Sequence, residues 1–210
     1  MRVGKKIGTA LVFTGLALLC AAGGLLLYNQ AESRRAQEAS EHVLELLAEQ
    51  IQNNQRAATD PGSAGGTEPS APSVPPSQPA EDPCPTVQID GVDYIGVISF
   101  PTLELELPVM SQWSPEVLQT APGRYYGTAS GGDLVIAGHN YDSHFGQLGD
   151  LKIDDPVVFT DANGKVYAYA VLDIEILPPT AIEDMIAGDD PLTVFTCTYG
   201  GRTRLTIRCG

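Results

Sequence analysis

The stretch that decides the expected fold is Thr193-Val-Phe-Thr-Cys197, continued by Thr198-Tyr-Gly-Gly201 and Arg202-Thr-Arg-Leu-Thr-Ile-Arg208. A β-prone run ends at Cys197, two glycines supply a tight turn, and a second β-prone run follows directly. Such a short connection makes the second strand an antiparallel neighbour of the first. One arginine at the start of that strand is therefore expected beside the cysteine by register alone.

The rest of residues 86–210 has the same character of short strands and turns. Strands are predicted at 94–100, 103–109, 134–137, 157–160, 166–176, 192–196 and 205–209. A hairpin turn is predicted at Asp161-Ala-Asn-Gly164, a helix start at Ser114-Pro115-Glu116, and one or two helical turns at 181–187. Strands this closely spaced favour a mainly β fold, a closed or nearly closed barrel with short helices.

An apolar run near the N-terminus predicts a membrane helix. Ile7 to Tyr28 contains 22 residues without a charge. A helix of that length spans the roughly 30 Å hydrocarbon layer of a bilayer. The basic residues that precede the run favour a cytoplasmic N-terminus. A cleaved signal peptide is the alternative, but its apolar region would be shorter. Residues 1–30 are therefore predicted to be a cytoplasmic stub and a transmembrane signal anchor.

Two segments connect the anchor to the strand-rich domain. Residues 31–56 are predicted to form a helical stalk, because four apolar residues recur at helical spacing. These are Val43, Leu46, Leu47 and Ile51. The stalk standing free, packing on the domain and self-associating weakly all stay open. Residues 57–85 are predicted to be a linker, because 8 of these 29 residues are proline. Such a segment is suited to hold residues 86–210 away from a membrane.

Charge and cysteine spacing exclude several classes of protein. The formal net charge is −14, which argues against nucleic-acid binding, because that function requires clustered Lys and Arg. The four cysteines, Cys20, Cys84, Cys197 and Cys209, contain neither a C-x-x-C pair nor zinc-type spacing. No metal and no cofactor is therefore predicted. A Cys84–Cys209 disulfide and two separate thiols are both compatible with the sequence.

Three side chains have the properties of a cysteine-dependent catalytic site. Cys197 lies at a strand end, where a rigid scaffold presents side chains to a cleft. His139 lies in an equivalent place, since an apolar strand and Gly138 precede it. A nearby guanidinium would lower the pKa of a thiol and stabilise an oxyanion. Taken singly, a buried cysteine, a loop histidine and a solvent-facing arginine are the commoner interpretations. The residues alone leave both interpretations open.

A family resemblance favours the catalytic interpretation. The segment Thr193–Cys197 resembles the TLxTC signature of sortases, with Val194 in place of leucine. Gly138-His-Asn140 resembles the sortase histidine site, and Arg204-Leu-Thr-Ile-Arg208 resembles the strand that begins with the catalytic arginine. The resemblance covers about residues 95–209, and the three motifs come in the order typical of the family. It implies an eight-stranded sortase-like β-barrel, here preceded by an N-terminal transmembrane helix.

The resemblance also implies roles for individual residues. Cys197 would be the nucleophile, His139 the general acid and base, and Arg204 the group that stabilises the oxyanion or positions the substrate. Arg204 is preferred to Arg202 because it directly precedes the apolar strand residues. His139 is preferred to His144 because no apolar strand precedes His144. Substrate-binding roles are expected for Thr196, Tyr199 and Asn140.

The implied activity is that of a cysteine transpeptidase on a Gram-positive cell surface. Such an enzyme cleaves an LPxTG-like sorting signal of a surface protein and forms a thioacyl intermediate. An amine of a peptidoglycan precursor or a pilin lysine then accepts the acyl group. The chain would be a single-pass protein of the cell membrane with an extracytoplasmic catalytic domain. Its subclass stays open, because the sequence lacks an Asp-Pro-aromatic lid segment and room for a long class B helix at 178–190.

Two other functions are weighed against this one. An L,D-transpeptidase also uses Cys and His, but its motif does not match Thr193–Cys197. A catalytically silent, membrane-anchored surface assembly protein would share the anchor, stalk and linker. Reactivity of the Cys197 thiol distinguishes this last alternative, since a buried structural cysteine does not react.

Overall fold

The structure of this chain, a computed structural model, describes residues 2–59, 84–186, 189–198 and 200–210. A long helix, α1, precedes the strands and extends from Arg2 to Thr59. Within the described residues, nine strands form one sheet, and a short helix, α2 (Ile182–Ile186), lies between the seventh and eighth strands. The strands are β1 (Val87–Ile89), β2 (Val92–Phe100), β3 (Leu105–Met110), β4 (Gly123–Tyr126), β5 (Leu134–Gly138), β6 (Pro156–Asp161), β7 (Val166–Leu177), β8 (Leu192–Cys197) and β9 (Arg204–Cys209).

Eight of these strands close into a barrel. Their order around it is β2-β3-β4-β5-β8-β9-β7-β6, and pairing of β6 with β2 closes the ring. The remaining strand, β1, pairs with the first residues of β2 through the tight turn at Asp90-Gly91. Most neighbours are antiparallel, whereas β3–β4 and β5–β8 run parallel. The prediction of a mainly β, eight-stranded barrel is confirmed.

Side chains along each strand alternate between the inside and the outside of the barrel wall, and those that point inward form the hydrophobic core. Phe100, Phe145 and Phe159 are fully buried and share one cluster with β-branched and leucine side chains from the surrounding strands. Closing the sheet removes exposed strand edges. A barrel of eight strands has an interior just wide enough for side chains to fill. Cys84 and Cys209 both belong to this cluster. Cys209 is a free thiol, and burial followed by the charge of Asp190 raises its pKa to about 12.

The predicted elements agree with the structure where local patterns were strong. The hairpin turn at 161–164 joins β6 and β7, and the side-chain oxygen of Ser114 accepts a hydrogen bond from the Val117 amide at a short 3-10 turn. Two strands, β1 and β4, were not predicted. β4 is only four residues long and contains Gly123, at which an added Cβ would lie 2.5 Å from the Gln112 carbonyl oxygen. Such short strands are specified by their neighbours in the sheet rather than by their own pattern.

The predicted anchor and stalk form one continuous helix in the structure. The large apolar side chains of residues 12–28 are exposed, as at Val12 (70%) and Tyr28 (63%). Of the three arrangements left open for the stalk, packing on the domain is the one observed. Val43, Leu47 and Ile51 are buried against a group of apolar residues on the outside of the barrel. That group comprises Val87, Ile89, Tyr94, Val97, Met110, Ala121 and Ala162.

Polar contacts fix both ends of the docked part of α1. Near its C-terminal end, Asn54 donates a hydrogen bond to the Ala162 carbonyl at 3.0 Å. Near residue 33, the hydroxyls of Ser33 and Ser143 are 3.0 Å apart, and Ser143 also donates to the Ser33 carbonyl at 2.8 Å. The docked helix therefore extends from the β6–β7 turn to the loop that follows β5. Most of the linker predicted at 57–85 lies outside the described residues.

Candidate active site

Two parallel strands place the candidate histidine next to the candidate nucleophile. β5 and β8 pair in register from Leu134 opposite Leu192 to Gly138 opposite Thr196. His139 and Cys197 are the next residue on each strand. The Thr196 hydroxyl donates a hydrogen bond to the Gly138 carbonyl at 2.9 Å, which ties the two strand ends together. Cys197 and His139 are both half-buried, so part of each residue is accessible to solvent.

The antiparallel pair β8–β9 places the arginine. Arg204 is the cross-strand partner of Cys197. One guanidinium nitrogen of Arg204 donates to the carbonyls of Gly201 and Thr203, each at 3.2 Å. Arg202 is exposed and precedes β9. The register therefore favours Arg204 as the cation beside the thiol.

The turn between β8 and β9 is held by its own hydrogen bonds. The Thr198 amide donates to the Thr203 carbonyl at 3.0 Å, and the hydroxyls of these two residues are 2.7 Å apart. Gly200 and Gly201 have φ values of 81° and 68°, a region that side chains with a Cβ rarely adopt. These contacts fix the register that pairs Cys197 with the first residue of β9.

The imidazole of His139 is held by an aromatic neighbour. Its ring stacks on Tyr141, with centroids 3.7 Å apart and an interplanar angle of 26°. Its Nδ1 atom is buried and has no hydrogen-bond partner among the residues that the structure describes. Burial lowers the pKa of His139, so the neutral imidazole is favoured. A neutral imidazole can accept a proton, as a general base must.

The backbone before His139 is fixed by a close contact. A Cβ added at Gly138 would lie 2.3 Å from the ring of Phe145. Phe145 is fully buried, and its amide donates to the His139 carbonyl at 3.1 Å. Glycine is therefore required at residue 138, because only the absence of a side chain lets the ring approach this closely. The same ring then supports the start of the loop that carries His139.

His144 lies on the same loop but has a different environment. It is fully buried, whereas His139 is half-buried. Burial, followed by the charge of His139, lowers the pKa of His144 to about 4. His144 is therefore a neutral core residue at physiological pH, and the geometry favours His139 as the histidine of the site.

The three residues predicted to bind substrate have different surroundings. Asn140 is half-buried and lines a cavity beside His139. Thr196 is buried, with its hydroxyl engaged by the Gly138 carbonyl. Tyr199 lies outside the described residues. Their assignment to substrate binding stays a prediction.

Comparison with known proteins gives the family. Residues 98–209, more than half of the chain, match the family model described as "Sortase domain". The chain belongs to the sortase family. It is 32% identical over 117 residues to Sortase A of Bacillus anthracis, an alignment that covers 52% of this chain and 54% of that protein. The chain thus spans about half the length of this curated relative.

Solved sortases share the barrel. Sortase C1 from Streptococcus agalactiae is 31% identical, with a TM-score of 0.51, and the match covers 58% of this chain and 69% of the other. A complex of Streptococcus agalactiae sortase C1 with MTSET is similar in fold, with a TM-score of 0.50, 23% identity, and coverage of 55% and 68%.

Two further side chains of the sortase domain were not singled out from the sequence. No local pattern indicates that Tyr141 stacks on His139, because this contact depends on the path of a loop. Arg208 is 7% exposed and donates hydrogen bonds to Glu175, to the Thr193 hydroxyl and to the Met185 carbonyl. These bonds attach α2 to β7, β8 and β9. No local pattern in residues 202–208 indicates this role, because the partners of Arg208 come from other elements.

Proposed function

We propose that this sortase-family chain is a cysteine transpeptidase with Cys197, His139 and Arg204 as its catalytic residues. The observation that carries the proposal is the strand register at one end of the barrel. Cys197 lies opposite Arg204 on one side and next to the position of His139 on the other. A nucleophile, a cation and a general acid and base on adjacent rigid strands are the parts that acyl transfer requires.

The chemistry follows from the properties of these side chains. Neutral His139 takes the proton of the Cys197 thiol, the thiolate attacks a peptide carbonyl carbon, and Arg204 stabilises the oxyanion that forms. As the C–N bond breaks, protonated His139 donates its proton to the leaving amine, and a thioacyl enzyme remains. An incoming amine then gives a proton to neutral His139 and attacks the thioester. The new C–N bond forms, the C–S bond breaks, and the electron pair returns to the Cys197 sulfur.

Substitution of the nucleophile tests the activity. Cys197→Ala should abolish both cleavage of sorting-signal peptides of the LPxTG type and transfer to an amine, because no thioacyl enzyme can form. A peptide-library screen with the full chain identifies the cleaved motif. Undiminished turnover by Cys197→Ala would overturn the proposed catalytic residues.

Thiol labelling separates the enzyme from a silent assembly protein. MTSET should modify Cys197 and leave Cys209 unmodified in the folded protein, because Cys209 is fully buried and burial raises its pKa. Peptide mapping by mass spectrometry gives the site of modification. Equal resistance of both thiols in the folded chain would favour the silent assembly protein.

The arginine can be tested with a matched control. Arg204→Ala should lower kcat/KM by roughly 10²–10³, the effect of removing one oxyanion donor. Arg202→Ala removes the same charge from an exposed residue two positions earlier and should change kcat/KM less than about twofold. Equal losses in the two variants would remove the preference for Arg204.

We also propose that Asn140, Thr196 and Tyr199 contact the substrate. Asn140→Ala tests this contact, and the expected result is a higher KM.

The proposed location is the cell membrane, with residues 1–30 as a cytoplasmic stub and signal anchor and residues 86–210 as the extracytoplasmic catalytic domain. Support comes from an apolar window of α1 with mean hydropathy 1.7, none of which is buried in the structure. A helix that is apolar on all sides is stable in lipid rather than in water. Carbonate extraction and protease protection of intact cells test this. Release of the uncleaved chain by carbonate would contradict the anchor.

The proposed substrates are a surface protein that carries a sorting signal and an amine on a peptidoglycan precursor or a pilin lysine. The peptide-library screen, repeated with candidate amines, identifies both the sorting signal and the accepting amine. A catalytically silent assembly protein remains the second function, and the labelling result decides between the two.

A further inference from the structure

At the end of β5, the imidazole of His139 and the phenol of Tyr141 form a stacked pair. The ring centroids are 3.7 Å apart, and the planes are inclined by 26°. Tyr141 follows His139 by two residues, so the loop after β5 turns back and places the phenol over the imidazole. The stack covers one face of the imidazole, whereas the two ring nitrogens lie at its edge. The contact can therefore hold the ring without occupying the nitrogens that exchange protons.

Tight backbone bonding holds Tyr141 in this place. The Tyr141 carbonyl accepts hydrogen bonds from the amides of His144 and Gly146, each at 2.9 Å. A Cβ added at Gly146 would lie 2.6 Å from that carbonyl oxygen, so the two backbone segments are in direct contact. The ring of His144 is fully buried, and its centroid lies 5.7 Å from that of the phenol. The position of the Tyr141 ring is therefore set by a closely bonded loop.

Stacking takes the place of a hydrogen bond as the interaction that orients His139. In catalytic triads, a third group accepts a hydrogen bond from the histidine and fixes the plane of its ring. Nδ1 of His139 is buried and has no such partner among the residues that the structure describes. The contact that is present is the stack on Tyr141. The orientation of the imidazole relative to Cys197 thus depends on the phenol ring.

The proposed reaction requires the imidazole of His139 in both protonation states. The neutral ring takes a proton from the thiol or the incoming amine, and the imidazolium donates a proton to the leaving amine. Burial lowers the pKa of His139 and so disfavours the imidazolium. The guanidinium of Arg204, which the register places opposite Cys197, opposes a second positive charge in the same site. The Cys197 thiolate favours the imidazolium before attack, but this negative charge disappears once the sulfur carries the acyl group.

The face of Tyr141 supplies an interaction that favours the imidazolium. The electron-rich face of an aromatic ring attracts a cation within about 6 Å of the ring centroid, and the stack is much closer than that limit. Burial, followed by the charge of Glu32 on α1, raises the pKa of Tyr141, so the phenol keeps its proton. Glu32 is itself paired with Arg35 at 2.9 Å, and Asp142 on the loop is exposed. The attraction therefore comes from the aromatic face rather than from a phenolate or a paired carboxylate.

We propose that Tyr141 is a positioning residue, which fixes the plane of the His139 imidazole and stabilises the imidazolium while the amine leaves. This inference rests on the proposed transpeptidase function, in which His139 is both acid and base. The neutral imidazole packs on the same ring, so the contact persists through the proton transfers. The aromatic face is required for this role, and the phenol hydroxyl is not.

Substitutions at residue 141 separate the aromatic face from the hydroxyl and from apolar bulk. Tyr141→Phe keeps the face and removes the hydroxyl, so it is the matched control. Tyr141→Leu keeps an apolar side chain and removes the face, and Tyr141→Met is a second variant without a ring. Thermal unfolding of the full chain in detergent shows which variants are folded, and Tyr141→Met replaces Tyr141→Leu if the latter is not.

The first measurement is an NMR titration of the full chain in detergent, with ¹³C-labelled histidine. Every chain also carries Cys197→Ala, so that no thiol titrates together with the imidazole. The resonance of His139 is identified by its absence from His139→Gln. We expect the pKa of His139 to be lower with Tyr141→Leu than in the parent and to be unchanged with Tyr141→Phe. A residue that only filled space would not give this pattern.

The second measurement is peptide cleavage by chains that keep Cys197, with a sorting peptide from the library screen. Tyr141→Leu should lower kcat about tenfold with little change in KM, because the stack acts on proton transfer rather than on peptide binding. Tyr141→Phe should stay within about twofold of the parent in kcat. The difference between the two variants reports the aromatic face, since both lack the hydroxyl.

The outcomes separate the role of Tyr141 from the activity itself. The same pKa of His139 in the parent and in the folded variant without a ring would overturn the stabilised imidazolium and leave the transpeptidase standing. Equal losses of kcat in Tyr141→Phe and Tyr141→Leu would overturn the role of the aromatic face. If the parent cleaved no library peptide, the transpeptidase would be overturned and, with it, the role of Tyr141 in catalysis.

Discussion

Gly138→Ala tests whether the position of His139 depends on the close approach of Phe145. The added Cβ would lie 2.3 Å from Cδ2 and 2.5 Å from Cγ of that ring. Neither atom belongs to a flexible chain end. Phe145 is fully buried and packs edge-to-face on Phe100, with centroids 5.8 Å apart and an interplanar angle of 87°. The ring has no room to retreat, so the strand end or the ring must shift.

The expected magnitude is a balance of two effects. Overpacking a well-filled core costs about 1–3 kcal/mol. Alanine in a strand is more favourable than glycine by roughly 0.5–1 kcal/mol. The expected net loss of stability for Gly138→Ala is therefore about 1–2 kcal/mol. The activity should fall further, by roughly 10–100-fold in kcat/KM, because a shift of about 1 Å in a catalytic group has that effect.

Urea unfolding gives the stability and peptide cleavage gives kcat/KM. Gly149→Ala is the matched control, since its Cβ would lie 3.8 Å from Leu205, an ordinary contact. It should change stability by less than about 0.5 kcal/mol. Phe145→Leu should reduce the penalty of Gly138→Ala in a double-mutant cycle, because the smaller side chain frees space. The reasoning fails if Gly138→Ala is as active and as stable as the parent, or if its penalty is the same with Phe145→Leu.

Three further predictions concern the packing around the site. The pKa of His144 is about 4 in the folded chain against an ordinary 6.5, so its stabilising contribution is complete above pH 6.5 and is lost as pH falls through 4. At most about 3 kcal/mol is involved, and urea unfolding of His144→Gln should show a smaller decline over that range; an unchanged pH profile would contradict this. Leu47→Ala should cost about 2–5 kcal/mol, because Leu47 is fully buried between α1 and the barrel; a loss below about 1 kcal/mol would indicate that the helix does not dock. Arg208→Met should cost about 3 kcal/mol in thermal or urea unfolding by leaving Glu175 without its cation, and addition of Glu175→Leu should recover part of the loss; a loss that the second substitution does not change would refute the role of this ion pair.

Local patterns were sufficient to predict the β8–β9 hairpin. Cys197 and Arg204 are separated by the short segment 198–203, which contains two consecutive glycines, so their pairing follows from short-range geometry. The same holds for the β6–β7 hairpin, whose turn sequence specifies the connection. The apolar run at 7–28 predicted a helix by length and composition alone. In each case, the residues that determine the structure are neighbours along the chain.

The position of His139 next to Cys197 could not be derived from a local sequence pattern. Parallel strands are not joined by a short turn that a sequence motif could indicate. The chain passes through β6, β7 and α2 between β5 and its parallel partner β8. Gly138 lies opposite Thr196 only in the closed barrel, so the role of His139 was predicted from the resemblance to sortases. β4 was also missed, because a strand of four residues is specified by the strands on either side of it.

The sequence by itself determined the hairpin that sets Arg204 beside Cys197, the helical character of residues 31–56 and the apolar N-terminal segment. Tertiary structure alone decided that Tyr141 stacks on His139 and that α1 docks beside the same loop. Apolar spacing in a helix indicates that one face is buried, but it does not identify the partner. That partner is a surface assembled from β1, β2, β3 and the β6–β7 turn, which exists only after the barrel has closed.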